Sequence, residues 1–97
     1  MAYELKWSEE ALEDIDSIAT YIEKDSSIYA KAVVTKIFEK VEILSNFSQM
    51  GRTVPELNDD NIRELFIYSY RLIYRVSDGV ILIVAVIHGK RLIENHN

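Results

Sequence analysis

The sequence predicts an α+β fold of two layers, in which an N-terminal strand and an antiparallel helical hairpin pack on a mainly antiparallel sheet in the order β-α-α-β-β-β. Three observations predict it. Two stretches between Glu9 and Leu44 repeat apolar residues at helical spacing. Tyr70 to Val76 and Val80 to Ile87 are dense in β-branched and aromatic residues, and the Ser77-Asp78-Gly79 break folds them back on each other as a hairpin. The second of these strands is apolar on both faces, so it belongs inside a sheet with a cover over it. A helical hairpin on one face of such a sheet buries the apolar set.

Tyr3 to Trp7 opens the chain as a short strand. Ser8 then offers a helix N-cap, with Glu9 and Glu10 in the first turn, where the helix dipole favours negative charge. Ala11, Leu12, Ile15, Ile18, Ala19 and Ile22 make Glu9 to about Lys24 one amphipathic helix, with Glu13, Asp14 and Asp16 on its wet side. Asp25, Ser26 and Ser27 break and recap the chain. The second helix runs through Ala30, Val33, Val34, Ile37, Val41 and Leu44, and the short connection makes the pair an antiparallel hairpin. Asn46 to Asn61 has no periodicity and contains Gly51, Pro55 and Asp59-Asp60. It reads as a loop of about 15 residues, long enough to be a candidate functional segment. The first strand of the final three spans about Ile62 to Tyr68. In the next, alternation puts Tyr70, Leu72, Tyr74 and Val76 on one face and Arg71, Ile73 and Arg75 on the other.

Composition narrows the function classes. The 97 residues make a single domain, 1–97, with room for one core. A hydrophobic content of 48% with few Gly and Pro places the chain among globular proteins. No cysteine is present, which removes disulfide and thiolate chemistry. The apolar run Val80 to Ile87 is far shorter than the roughly 20 residues of a membrane-spanning helix, and the N-terminus lacks the basic start and apolar stretch of a signal peptide. A soluble cytoplasmic protein without membrane contact is expected.

The net charge of −5 is unevenly spread. Residues 1 to 49 carry five Lys against ten Asp or Glu, whereas Ile62 to Arg91 carries five basic residues against two acidic ones. The helices are therefore acidic and the sheet basic. An acidic chain has no general attraction for nucleic acid, but its basic face suits an acidic protein segment or a phosphate.

Few residues carry recognisable chemistry. His88 and His96 have no metal-ligand pattern around them, and Gly51, Gly79 and Gly89 are too scattered for a phosphate loop, so no metal or cofactor is expected. Ser8, Ser26, Ser27 and Ser48 read as caps or loop residues. One constellation stands out. Arg71 and Arg75 share a strand face, and His88, Lys90 and Arg91 lie at the end of the neighbouring strand. Such a cluster can hold a phosphodiester with His88 as acid or base, or grip an acidic protein segment.

The run Gly51-Arg52-x-Val54-Pro55-Glu56-Leu57, then Ile62-Arg63-Glu64-Leu65, then Tyr70-Arg71-Leu72-Ile73-Tyr74-Arg75-Val76, and finally Val86-Ile87-His88-Gly89-Lys90-Arg91 resembles the RelE/ParE superfamily of bacterial toxins, also called plasmid stabilisation proteins. Trp7-Ser8-x-x-Ala11, Asp14 and Tyr21-Ile22 fit as well, so the resemblance covers nearly the whole chain. It implies the strand, helix pair and sheet read above. It also implies a toxin of a type II toxin–antitoxin pair, held inactive by a cognate antitoxin whose C-terminal region wraps around it.

Two branches of that superfamily differ in chemistry. For the ribonuclease branch, which cuts mRNA in the ribosomal A site, the resemblance places functional residues at Arg71 and Arg91, with His88 as a substitute acid or base. The same alignment puts Ile62 and Glu64 where that branch carries lysines and Asn97 where a tyrosine completes the site. The chain thus lacks two cations and an aromatic group, and its acidic charge departs from that of a protein that docks into ribosomal RNA. The ParE-like branch inhibits DNA gyrase by binding it and has no catalytic site of its own. The GRxVPEL loop and the IHGKR ending resemble this branch.

The resemblance therefore implies a gyrase-directed binding toxin, with a ribosome-dependent endoribonuclease or a non-toxic antitoxin-binding relative as alternatives. The candidate partner-binding residues are Arg52, Glu56, Arg63, Arg71, Arg75, His88, Lys90 and Arg91. Exposed strand edges make a homo-oligomer a further expectation.

Overall fold

The computed structural model describes residues 2–91 and 93. The chain forms β1 (Glu4–Trp7), α1 (Glu9–Glu23), α2 (Ser27–Leu44), β2 (Arg52–Thr53), β3 (Ile62–Ile67), β4 (Tyr70–Ser77) and β5 (Val80–His88). The strands make one five-stranded sheet in the order β1-β5-β4-β3-β2. Only β1 and β5 run parallel; β2, β3, β4 and β5 pair antiparallel in succession. The predicted two-layer α+β fold is therefore the observed one, and the doubly apolar strand Val80–His88 lies inside the sheet, between β1 and β4.

One strand was not foreseen. Arg52–Thr53 falls in the segment expected to be a loop, and pairs with β3 through Arg52 opposite Glu64 and Thr53 opposite Arg63. Two residues are too few to show a period of two, so only the partner strand reveals them. At the other end of β3, Tyr68 leaves the strand and takes φ +53° in the two-residue turn to β4. The β4–β5 turn has Asp78 and Gly79 at φ +48° and +78°, the left-handed pair that a tight hairpin requires.

The helices cover one face of the sheet. Ala11, Ile15 and Ile22 of α1 and Ala30, Val33, Ile37, Val41 and Leu44 of α2 are buried against Leu72, Tyr74, Ile81, Ile83 and Val86. Leu12, expected in the apolar stripe, points outward instead. Both caps are as expected. The Ser8 and Ser26 side chains accept the N–H groups of Ala11 and Tyr29, each at 3.0 Å.

Helix α1 also repairs an irregularity in β5. Ile73 pairs with Ala85 and Tyr74 with Ile83, so Val84 is left over as a β-bulge. The Ser8 hydroxyl donates to the Val84 carbonyl at 2.9 Å, and the Asp14 carboxylate accepts the Val86 N–H at 2.9 Å. Asp14 is thus half-buried and occupied rather than on the wet side of α1, because the bulge leaves a backbone donor that only a side chain can satisfy.

Candidate partner-binding site

The face of the sheet away from the helices is built from alternate residues of three strands. Arg71, Ile73 and Arg75 of β4 lie opposite Phe66, Glu64 and Ile62 of β3, and opposite Ile87, Ala85 and Leu82 of β5. At its centre sits an ion-pair network. The Arg71 guanidinium donates from Nη1 and Nη2 to the two carboxylate oxygens of Glu56, at 2.6 and 2.8 Å. Its Nε donates to Glu64 Oε1 at 2.7 Å and Nη1 also to the Arg91 carbonyl at 2.8 Å. Glu64 is shared, its Oε2 accepting from Arg52 Nε at 2.6 Å.

Burial makes this network costly to break. Arg71 is 3% exposed and Glu64 1% exposed. Removing either partner from such a pair leaves an uncompensated charge in a poorly solvated place. The hydrogen bonds to Arg71 hold the Glu56 carboxyl down at a pKa of about 2, against the opposing pull of burial. Glu56, and after it Glu64, raise Arg71 above its usual range, so the guanidinium is always charged.

The other predicted residues fall in three places. Arg52 is half out of the network and stacks its guanidinium over the Phe66 ring at 5.2 Å. Arg63 Nη1 donates to the Gly51 carbonyl at 2.8 Å and so pins the start of β2. Arg75 and Arg91 are exposed and border a cleft on the open face, lined also by Leu57, Ile62, Ile73, Ala85 and Ile93.

His88 stands elsewhere. It pairs with Tyr70, on the sheet face opposite to Arg71, and meets the Tyr70 ring edge-on at 5.8 Å. Its Nδ1 accepts the Lys90 N–H at 3.2 Å, which puts the neutral ring's proton on Nε2. The reading of Arg71, Arg75, His88, Lys90 and Arg91 as one basic cluster is therefore corrected. Arg71 is sealed behind two carboxylates, and strand alternation turns His88 the other way. His96 and Asn97, which entered the sequence reading, lie outside the described residues. Among the described residues no group of three His, Cys, Asp or Glu could hold a metal ion.

Sequence reasoning missed Glu64 as the second anchor of Arg71, and Leu57 and Ile93 as walls of the cleft. The β3–β4 hairpin register was the available signal for Glu64, since a two-residue turn at Tyr68-Ser69 sets Glu64 opposite Ile73 and beside Arg71.

Residues 5–93 match the family described as the ParE toxin of the type II toxin–antitoxin system, parDE. The chain belongs to that family. No curated relative matches it. Solved structures share the ParE-family fold seen here. The chromosomal ParDE toxin–antitoxin system of P. aeruginosa superposes with a TM-score of 0.73 at 24% identity, over 90% of this chain and 96% of that one. The toxin–antitoxin complex RelBE2 of Mycobacterium tuberculosis gives 0.66 at 18%, over 91% and 99%. A mutant of the E. coli toxin RelE in the free state gives 0.66 at 20%, over 93% and 86%. Among the described residues no helix is long and apolar enough to cross a membrane.

Proposed function

We propose that this ParE-family chain is a binding toxin that inhibits DNA gyrase, has no catalytic site of its own, and is neutralised by a cognate antitoxin. The observation that carries the reading is the state of Arg71. Phosphodiester cleavage needs a cation that reaches the substrate's phosphate. Here the donors of Arg71 are spent on Glu56, Glu64 and the Arg91 carbonyl. The resemblance sets Glu64 where the ribonuclease branch carries a lysine, and in this chain Glu64 is spent on an internal ion pair with Arg71 and Arg52.

Antitoxin control is supported by the ParDE system and the RelBE2 complex among the similar structures. β1 lies at the end of the sheet, where an unpaired edge can take an added strand. Arg52, Arg63, Arg75, His88, Lys90 and Arg91 remain the proposed contact residues, with His88 on the opposite face of the sheet and Glu56 and Arg71 behind the others.

One observation favours the endoribonuclease alternative. His88 is exposed, its Nε2 carries the proton of the neutral ring, and Tyr70 and Arg91 border the same groove. Purified protein tested for gyrase supercoiling and for ribosome-programmed mRNA cleavage separates the two. Blocked supercoiling with intact mRNA is expected. Codon-spaced cleavage with normal supercoiling would assign the activity to the His88 groove instead.

A further inference from the structure

Strand β5 is paired along its whole length by β4 but only along half of it by β1. β1 covers residues 80–83 and the chain then turns into α1 at Ser8, so residues 84–88 have no strand beside them on that side. The register fixes which backbone groups face this gap. The Gly89 N–H donates to the Ser69 carbonyl at 2.7 Å, so in the next pair Tyr70 and His88 point their N–H and C=O groups away from each other. Two residues back along β5, Val86 does the same opposite Leu72.

Four groups therefore face the gap, the N–H and C=O of Val86 and of His88. The Val86 N–H is taken by the Asp14 carboxylate at 2.9 Å and the His88 carbonyl by the Arg91 N–H at 3.0 Å. The Val86 carbonyl and the His88 N–H have no partner among the described residues. A groove of about 350 Å³ runs beside them, with Ser17, Ile18 and Tyr21 of α1 along its other side.

A donor and an acceptor placed in this way complement themselves. A second copy related by a two-fold axis at Ile87 sets each Val86 carbonyl against the other copy's His88 N–H, and each Val86 N–H against the other copy's His88 carbonyl. Asp14 stands in the way. Its oxygen occupies the place that the second copy's His88 carbonyl needs, and repels that carbonyl as well. The bulge at Val84 bends the same edge. Asp14 is also a costly way to satisfy one N–H. It is half-buried and makes no ion pair among the described residues, and water in the groove could serve Val86 equally. Water does not keep a strand out.

We propose that residues 84–88 form a latent self-pairing edge and that Asp14 guards it, its carboxylate standing in for a neighbouring strand and excluding the same edge of a second copy.

Sedimentation and amide hydrogen exchange of the full chain at rising concentration test the guard. In the wild type the Val86 N–H is expected to be protected and the His88 N–H to exchange freely at every concentration. Asp14→Ala opens the edge. Its self-association is expected to be about tenfold or more stronger than that of the wild type, with both amides slowing as concentration rises. Asp14→Asn keeps an oxygen for the Val86 N–H and is expected to sediment as the wild type does. His88→Pro added to Asp14→Ala removes the edge donor without breaking a bond to β4, and is expected to abolish the added association.

A folded Asp14→Ala that sediments as the wild type does, with the His88 N–H still in free exchange, overturns the guard. Association that survives His88→Pro, or that protects the β1 amides instead, overturns the choice of edge. Wild-type His88 N–H that slows with concentration shows the edge already paired and overturns the guard too. Should Asp14→Ala fail to fold, Asp14→Ser, whose hydroxyl is shorter and uncharged, is held to the same outcomes.

Discussion

Arg71 and Glu56 form a two-pronged ion pair at 2.6 and 2.8 Å that ties the centre of the sheet to the segment after β2, 15 residues away in sequence. The same guanidinium reaches Glu64 on the adjacent strand and the carbonyl of Arg91 beyond β5. A side chain that looks in sequence like an active-site cation is therefore the knot that joins the segment after β2, β3, β4 and the segment after β5.

Arg71→Met tests the knot. It leaves Glu56 without its cation and Glu64 buried with only the exposed Arg52 beside it. Breaking a buried pair in this way costs about 3–5 kcal/mol, a large part of a small domain's stability. Urea denaturation at neutral pH measures it. Neutralising both acids as well, as Arg71→Met with Glu56→Gln and Glu64→Gln, is expected to recover most of the loss, since no uncompensated charge then remains.

Acid should loosen the same contact. The Glu56 pKa is depressed from 4.5 to about 2 in the folded chain, so its contribution is fully present above pH 4.5 and is lost as pH falls toward 2. Glu56→Gln lacks this ionisation. Its stability deficit relative to wild type is expected to be largest above pH 4.5 and to shrink as pH falls, with urea melts across that range as the check.

The fold was largely legible because its signals are local. Helical spacing in Ile15, Ile22, Val33 and Ile37 and the Asp78-Gly79 turn each specify their own structure. The site was less so. Alternation correctly put Arg71 and Arg75 on one face, but burial separates them. Arg71 is covered by Glu56 from a segment without periodicity, while Arg75 is open. Nothing near Glu56 in sequence announces that it folds over β4. Asp14 shows the same limit, because its partner is the Val86 N–H beside a bulge that no pattern in β5 reveals.

Two glycines should fail for different reasons. A methyl group at Gly51 would overlap the Glu64 carbonyl oxygen and come within 2.7 Å of the Tyr74 hydroxyl, which itself accepts the Gly51 N–H and donates to the Ser48 carbonyl. Gly51→Ala therefore forces β2 away from β3 and costs about 1–3 kcal/mol. Gly79 has open space around it but φ +78°, so Gly79→Ala costs only conformational strain, about 1 kcal/mol. Thermal melts of both variants should rank them in that order, with a chemical-shift change at Glu64 and Tyr74 for the first alone.

The most direct measurement is gyrase supercoiling in the presence of the neutral variant Arg71→Met, Glu56→Gln, Glu64→Gln, run after circular dichroism has shown it folded. An Arg71 that serves architecture rather than chemistry predicts that the variant still blocks supercoiling and leaves ribosome-bound mRNA intact. A folded variant that has lost an mRNA-cleaving activity present in the wild type would contradict this, and would return Arg71 to the active site.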